Sequence, residues 1–180
     1  MGRKHRYSGR KRHWTYIGKL FKTYVSRDSV VRAKDCSFEI KKEAVETLIG
    51  YAQHEGNEIC GVVTGSQVGE KSFRISKISP PCVVKNGCYE CELDAAQGNE
   101  FIAKDYEVSG KTRFYIGEWH THPEKNPHPS RTDFDSIIKS FTSAQLSAPL
   151  LVMVIVGIED IYYGVYNGAV FEKIEPKVVE

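Results

Sequence analysis

The chain has 180 residues, 41% hydrophobic and 27% charged, which suits one domain with an ordinary core and leaves little room for a second. Its longest apolar run, PLLVMVIVGI at 149–158, falls short of the roughly 20 residues a membrane span needs. The net charge of +2 conceals an asymmetry: residues 1–34 hold 11 of the 25 Lys/Arg and one acid, Asp28, leaving 14 Lys/Arg and 22 Asp/Glu to residues 35–180.

That basic head, MGRKHRYSGRKR onward, shows no apolar periodicity over residues 1–12 and is expected to be disordered there. No apolar signal-peptide core follows it. A cytoplasmic location is expected, with the five cysteines (36, 60, 82, 88, 91) as thiols. Residues 14–25, WTYIGKLFKTYV, fit a strand, a hairpin about Gly18 or a helix equally well. The compact domain is predicted to begin near Cys36.

SFEI (37–40) reads as a short strand. The spacing of Ala44, Val45, Leu48, Ile49 and Ala52 predicts a helix over 41–55, stopped by Gly56. EICGVVTG (58–65) is a β-rich apolar run, and FRISKIS (73–79) alternates as an exposed edge strand would. Residues 80–91 are turn-rich, with Asn86-Gly87 as the bend. A second helix is predicted over 94–110, weakened by Gly98 and closed by Gly110. A strand follows over 112–122 and a third helix over 130–144. LLVMVIVGI (150–158) reads as a central strand. IYYGVYNG (161–168) and AVFEKI (169–174) read as a hairpin turning at Asn167-Gly168. There is no internal repeat. The class is α/β, a mixed sheet flanked by helices.

The chemistry concentrates in GEWHTHPEKNPHPSRTD, residues 117–133. On a strand, residues i and i+2 share a face, roughly 6–7 Å apart. His120 and His122 can therefore aim two imidazoles at one point. Catalytic zinc takes three protein ligands and keeps a fourth position for water, and Asp133 is the candidate third ligand. Ser130 and Asp133 fall three residues apart on the first turn of the next helix. Each piece also has an ordinary explanation: a solvated His-x-His, and a Ser cap accepting a backbone N–H. Glu118, two before His120, shares the ligand face and is a candidate general base.

The complete pattern, His120-Thr-His122, seven residues, then Ser130-Arg-Thr-Asp133, resembles the His-x-His-x7-Ser-x-x-Asp signature of the JAMM (MPN-plus) metalloproteases. Glu58-Ile-Cys-Gly61-Val-Val-Thr-Gly65 is similar to that family's glutamate strand. The order of elements from Ser37 to about Ile174 is similar too. The resemblance implies a JAB/MPN-like mixed sheet with cytidine-deaminase-like layering over residues 35–180. It implies one Zn²⁺ held by His120, His122 and Asp133, with Glu58 as general base and Ser130 hydrogen-bonded to the developing oxyanion. It thereby favours Glu58 over Glu118 as the base; Glu118 would then fix an imidazole tautomer or be a solvated acid. The implied substrate is the bond after the C-terminal tail of a ubiquitin-like protein, which can align as an added strand. The GEWHTHP form resembles stand-alone bacterial members. Some of these accompany E1- and E2-like proteins in antiviral operons of the CBASS type, and others mature sulfur-carrier precursors. Relatives lacking the metal ligands serve as scaffolds; this chain keeps every ligand.

Three further features carry less. His128, between two prolines, reads as a solvated loop residue. Cys88-x-x-Cys91 has no second pair to complete a zinc site. Pro81-Cys82 lacks the following cysteine a zinc deaminase would need. Nucleic-acid binding by RKHRYSGRKRHW, through phosphate contacts with Trp14 and Tyr16 stacking, is the binding-module alternative.

Overall fold

The computed structural model describes residues 31–88 and 90–180; the expectations placed on residues 1–30 lie outside these. A short 3-10 turn, Ala33–Asp35, leads into β1 (Ser37–Lys41) and α1 (Lys42–Gly50). Then come β2 (Cys60–Gly69), β3 (Ser72–Ile78), a hairpin of β4 (Val83–Gly87) and β5 (Glu90–Leu93), and α2 (Ala95–Val108). The chain continues through β6 (Phe114–Thr121), α3 (Arg131–Ser143), β7 (Leu151–Val156), β8 (Ile161–Tyr166), β9 (Phe171–Lys173) and β10 (Lys177–Val179). An eight-stranded mixed sheet runs β10-β1-β3-β2-β6-β7-β8-β9, so the expected α/β class holds.

Both faces of the sheet are covered, which is why β7 is apolar at every position. Val152, Val154 and Val156 join Leu48, Val63 and Trp119 on the α1 side. Leu151, Met153 and Ile155 join Val62, Ile102 and Ile137 beneath α2 and α3. Gly98 does not mark a weak point in α2. It is buried, and a Cβ there would lie 3.0 Å from Val62 Cγ1, so its absence lets the helix settle close on β2.

β9 and β10 occupy opposite edges of the sheet, yet only residues 174–176 connect them. Such a link reaches at most about 14 Å. Seven strand spacings of about 4.8 Å in a flat sheet would need about 34 Å. The sheet therefore curls until its edges approach. Residues 31–33 stitch the seam: Asn167 Nδ2 donates to the Val31 carbonyl at 3.0 Å, and the Ala33 amide donates to Glu172 Oε2 at 2.9 Å.

Several local expectations are corrected. The first helix stops at Gly50, well before Gly56, because the next residue, Tyr51, stacks its ring on buried Trp119 with centroids 4.6 Å apart. β3 is an interior strand between β1 and β2, with Phe73 and Ile75 buried, not an edge. Asn86 and Gly87 do not form the bend but belong to β4, and the turn follows the Gly87–Glu90 pair. The Asn167-Gly168 turn stands: Asn167 Oδ1 accepts the amides of Ala169 and Val170, and Gly168 has φ 89°. β10 is too short to show a period in the sequence. The cysteines are also corrected: Cys60 and Cys91 form a disulfide, because β5 folds back against the start of β2, while Cys36, Cys82 and Cys88 are free. Among the described residues, no helix is long and apolar enough to cross a membrane.

Candidate metal centre

From Glu118 onward, past an irregularity in the β2–β6 pairing, β6 delivers the histidines by alternation. Trp119 and Thr121 are buried on the α1 side, which leaves Glu118 and His120 on the α2/α3 face. His122 lies one residue past β6, but its amide still donates to the Val156 carbonyl at 2.9 Å, so the extended course continues. Gly117 permits this close β6–β7 pairing, since a Cβ there would collide with the Val152 backbone. The two imidazole centroids are 4.9 Å apart.

Asp133 comes to the pair from the first turn of α3. His120 Nε2 lies 3.3 Å from Asp133 Oδ1, and His122 Nε2 lies 3.5 Å from Asp133 Oδ2. The ligand atoms of the three residues all fall within 4.8 Å of one another. Ligands about 2.0–2.1 Å from a tetrahedral ion stand about 3.3–3.4 Å apart, and the two His–Asp separations, one to each carboxylate oxygen, are close to that. His120 Nε2 is buried with no hydrogen-bond partner among the described residues. Such an orphan is costly unless something binds it, and a cation in this cluster would do so. His122 Nδ1 likewise has no hydrogen-bond partner among the described residues. Burial, then the neighbouring His120, push the His122 pKa down, keeping its ring neutral as a ligand must be. Burial alone would raise Asp133, but His120 and the Ser130 hydrogen bonds outweigh it and hold the carboxyl at about 2. The donor set fits a divalent metal.

The ordinary explanation of Ser130 and Asp133 is also correct. They form a full capping box, in which the Ser130 amide donates to Asp133 Oδ2 at 2.6 Å and the Asp133 amide donates to Ser130 Oγ at 3.2 Å. The cap thus orients the carboxylate. Ser130 Oγ accepts in this bond, and the side chain is exposed.

Glu58 arrives from the segment before β2. It is 6% exposed, with Oε1 at 3.7 Å from His122 Nε2. Its backbone is held on both sides: its amide donates to the Gly87 carbonyl at 3.0 Å, and its carbonyl accepts from Asn86 Nδ2 at 3.0 Å. Next to it, the Ile59 amide donates to Thr121 Oγ1 at 3.0 Å, and Thr121 Oγ1 donates to Gln53 Oε1 at 2.6 Å. Burial pushes the Glu58 pKa up to about 7, with Asp133 and Glu124 adding to the rise and His120 opposing it. A carboxyl so tuned can take and return a proton near neutral pH.

Glu118 makes no comparable approach to the imidazoles. Its Oε1 accepts from Tyr115 Oη and Ser140 Oγ, each at 2.8 Å. Burial raises its pKa, and those two hydroxyls offset part of the rise. His128 is exposed, with Nδ1 2.8 Å from the Asn126 carbonyl oxygen, away from the cluster. Cys91 is taken by Cys60, so Cys88-x-x-Cys91 forms no metal half-site. The sequence reasoning missed Asn86, Thr121 and Ser140. Asn86 was spent on a turn it does not make, Thr121 was passed over as the middle of His-x-His, and Ser140 carries no local signal.

Known proteins resemble this chain. A family described as prokaryotic homologs of the JAB domain matches residues 41–165. A protein from Escherichia coli strain TW11681 named CD-NTase/cGAS isopeptidase is 42% identical over 144 residues, covering 78% of this chain and 88% of its own. A protein of the same name from Vibrio cholerae serotype O1 is 31% identical over 148 residues, covering 78% of this chain and 91% of its own. The solution structure of a Desulfitobacterium hafniense protein superposes with a TM-score of 0.60 at 18% identity, covering 79% of this chain and 93% of that one.

Proposed function

This chain belongs to the prokaryotic JAB-domain family, and on that premise we propose that it is a zinc-dependent isopeptidase that removes a ubiquitin-like protein from its conjugates. The observation that carries the proposal is the convergence of His120, His122 and Asp133 from two elements, with Glu58 at 3.7 Å from His122.

Zn²⁺ held by His120, His122 and Asp133 would supply Lewis-acid polarisation of the scissile carbonyl and lower the pKa of an attacking water. Glu58 takes that water's proton as the C–O bond forms, and its pKa near 7 lets it hold the proton briefly. The same carboxylic acid then passes the proton to the amine as the C–N bond breaks, leaving a carboxylic acid and a free lysine or peptide amine. The exposed Ser130 hydroxyl would donate to the carbonyl oxygen as negative charge builds there. No covalent intermediate with the chain is needed.

The relatives' printed name supports a CD-NTase-like enzyme as the conjugated target. That would place the protein in the cytoplasm beside E1- and E2-like partners, in antiviral defence. The basic residues 1–34 would then serve the conjugate or a partner.

The test is a fusion of a ubiquitin-like tail to a reporter, incubated with the full chain. Cleavage with about one zinc per chain, its loss with chelator or Asp133→Ala, and a Glu58→Gln variant that retains zinc without turnover are the expected results. An intact fusion with zinc-loaded protein would overturn the isopeptidase assignment. Loss of turnover in Glu118→Gln but not in Glu58→Gln would overturn the choice of base.

A further inference from the structure

α3 runs antiparallel to β6 across the α2/α3 face, and the two elements meet on two levels. At the upper level Asp133 faces His120 and His122. At the lower level Ser140 Oγ donates to Glu118 Oε1 at 2.8 Å, and Tyr115 Oη donates to the same oxygen at 2.8 Å. Ser140 lies two helical turns beyond Asp133, about 10 Å along the helix axis. Glu118 lies two residues before His120 and four before His122, about 7–13 Å along the strand. The spacings match, so the two levels act as rungs between the same pair of rails.

α3 has little else to fix it. Ile137, halfway between the rungs, is its single buried residue. Phe134 and Phe141 make edge-on contacts with Phe171 and Tyr166. One buried isoleucine and two edge-on rings resist separation, but tolerate sliding and rotation about the helix axis. A metal ligand must be placed to within about 0.5 Å. Directional hydrogen bonds supply that restraint where apolar packing does not. Glu118 is suited to it: strand register sets it between Val62 and Met153, so its carboxylate sits among apolar neighbours and depends on these two donors.

We infer that Glu118 is a positioning residue for the metal centre, setting α3 through Ser140 so that Asp133 meets His120 and His122. Tyr115 holds the receiving carboxylate oxygen from its own strand. This assigns Glu118 a role distinct from that of a base, and it rests on the metal reading of the centre above.

The experiment measures Zn²⁺ affinity of the full chain by competition with a chromophoric chelator, together with the visible spectrum of the Co²⁺-loaded form. Glu118→Ala is expected to weaken metal binding roughly 10-fold, the low end of the cost of losing a group bonded directly to a ligand, and to alter the Co²⁺ bands. Ser140→Ala is expected to weaken it severalfold, and serves alone if Glu118→Ala does not fold. Glu118→Gln, whose amide oxygen still accepts both hydroxyls, is expected to restore affinity to within a few-fold of the parent. Ser140→Ala added to Glu118→Ala is expected to cost nothing further, because the rung is already broken. Parental affinity in Glu118→Ala, or a Glu118→Gln as weak as Glu118→Ala, or strictly additive losses, would overturn the inference while leaving the isopeptidase reading intact. A parent chain that takes up no metal would bring down both.

Discussion

Ser130 and Asp133 hydrogen-bond each other reciprocally, each amide donating to the other's side-chain oxygen, at 2.6 and 3.2 Å. The helix start and the proposed metal ligand are therefore one object. This separates the two duties of Ser130. Glycine is nearly as good an N-cap, costing a few tenths of a kcal/mol, whereas alanine costs about 1 kcal/mol. Ser130→Gly should melt close to the parent yet lose roughly 10²- to 10³-fold in kcat if its hydroxyl stabilises the oxyanion. Thermal unfolding and turnover on one preparation decide the matter. A fully active Ser130→Gly would reduce Ser130 to a cap.

Asn86 predicts a different split. It grips the Glu58 carbonyl from the β4–β5 hairpin and touches none of the three ligands. Asn86→Ala should lower kcat roughly 10- to 100-fold by loosening the base, with metal content unchanged. Metal analysis beside steady-state kinetics reads the two separately; a parallel fall in both would argue for general damage to the fold.

The Cys60–Cys91 disulfide closes 31 residues of sequence. Constraining that loop in the unfolded chain is worth about 3–4 kcal/mol on the chain-entropy estimate. Cys91→Ser, or a dithiol reductant, should lower the denaturant midpoint accordingly. Protein unfolded without reductant should titrate only the thiols of Cys36, Cys82 and Cys88. Full reactivity of five thiols in non-reduced protein would contradict the cross-link.

Asp105 governs part of the acid limb. It is buried and accepts from Thr64 Oγ1 at 2.6 Å and from Arg113 Nε at 2.9 Å. Burial alone would raise its pKa, but Arg113 and Thr64 outweigh that and hold it below the usual range. A depressed folded pKa means the stabilisation is fully present above the unfolded value of about 3.9. It is lost as pH falls from there through the folded value. Asp105→Asn should flatten that part of the acid limb and cost about 2–3 kcal/mol at neutral pH, discounted for the partial exposure of Arg113. Urea unfolding from pH 2 to 7 checks both, and parallel curves for parent and variant would contradict this.

The proposed metal-holding cluster was legible because strand alternation and a helix start are local rules: His120 and His122 share a face by period, and Asp133 sits where a capping box puts it. Glu58 was reached through the family resemblance, since nothing near it in sequence says that it meets His122. What supports these groups was not legible. Asn86 looked like turn chemistry, but its amide is spent on the Glu58 carbonyl. Cys60 reads as one of five thiols, yet β5 lies against it and pairs it with Cys91. FRISKIS looked like an edge because β1, which pairs with its outer side, comes from a distant part of the chain. In each case a partner far along the chain overrode a sound local signal.

Residues 171–179 touch both borders of the sheet, with β9 at one and β10 at the other. They work as a clasp. Cutting the chain after Ile174 would strip β10 from β1 and bare a row of amides and carbonyls. A sheet opened in that way offers its new border to a second molecule, so the shortened protein should self-associate even with His120, His122 and Asp133 in place.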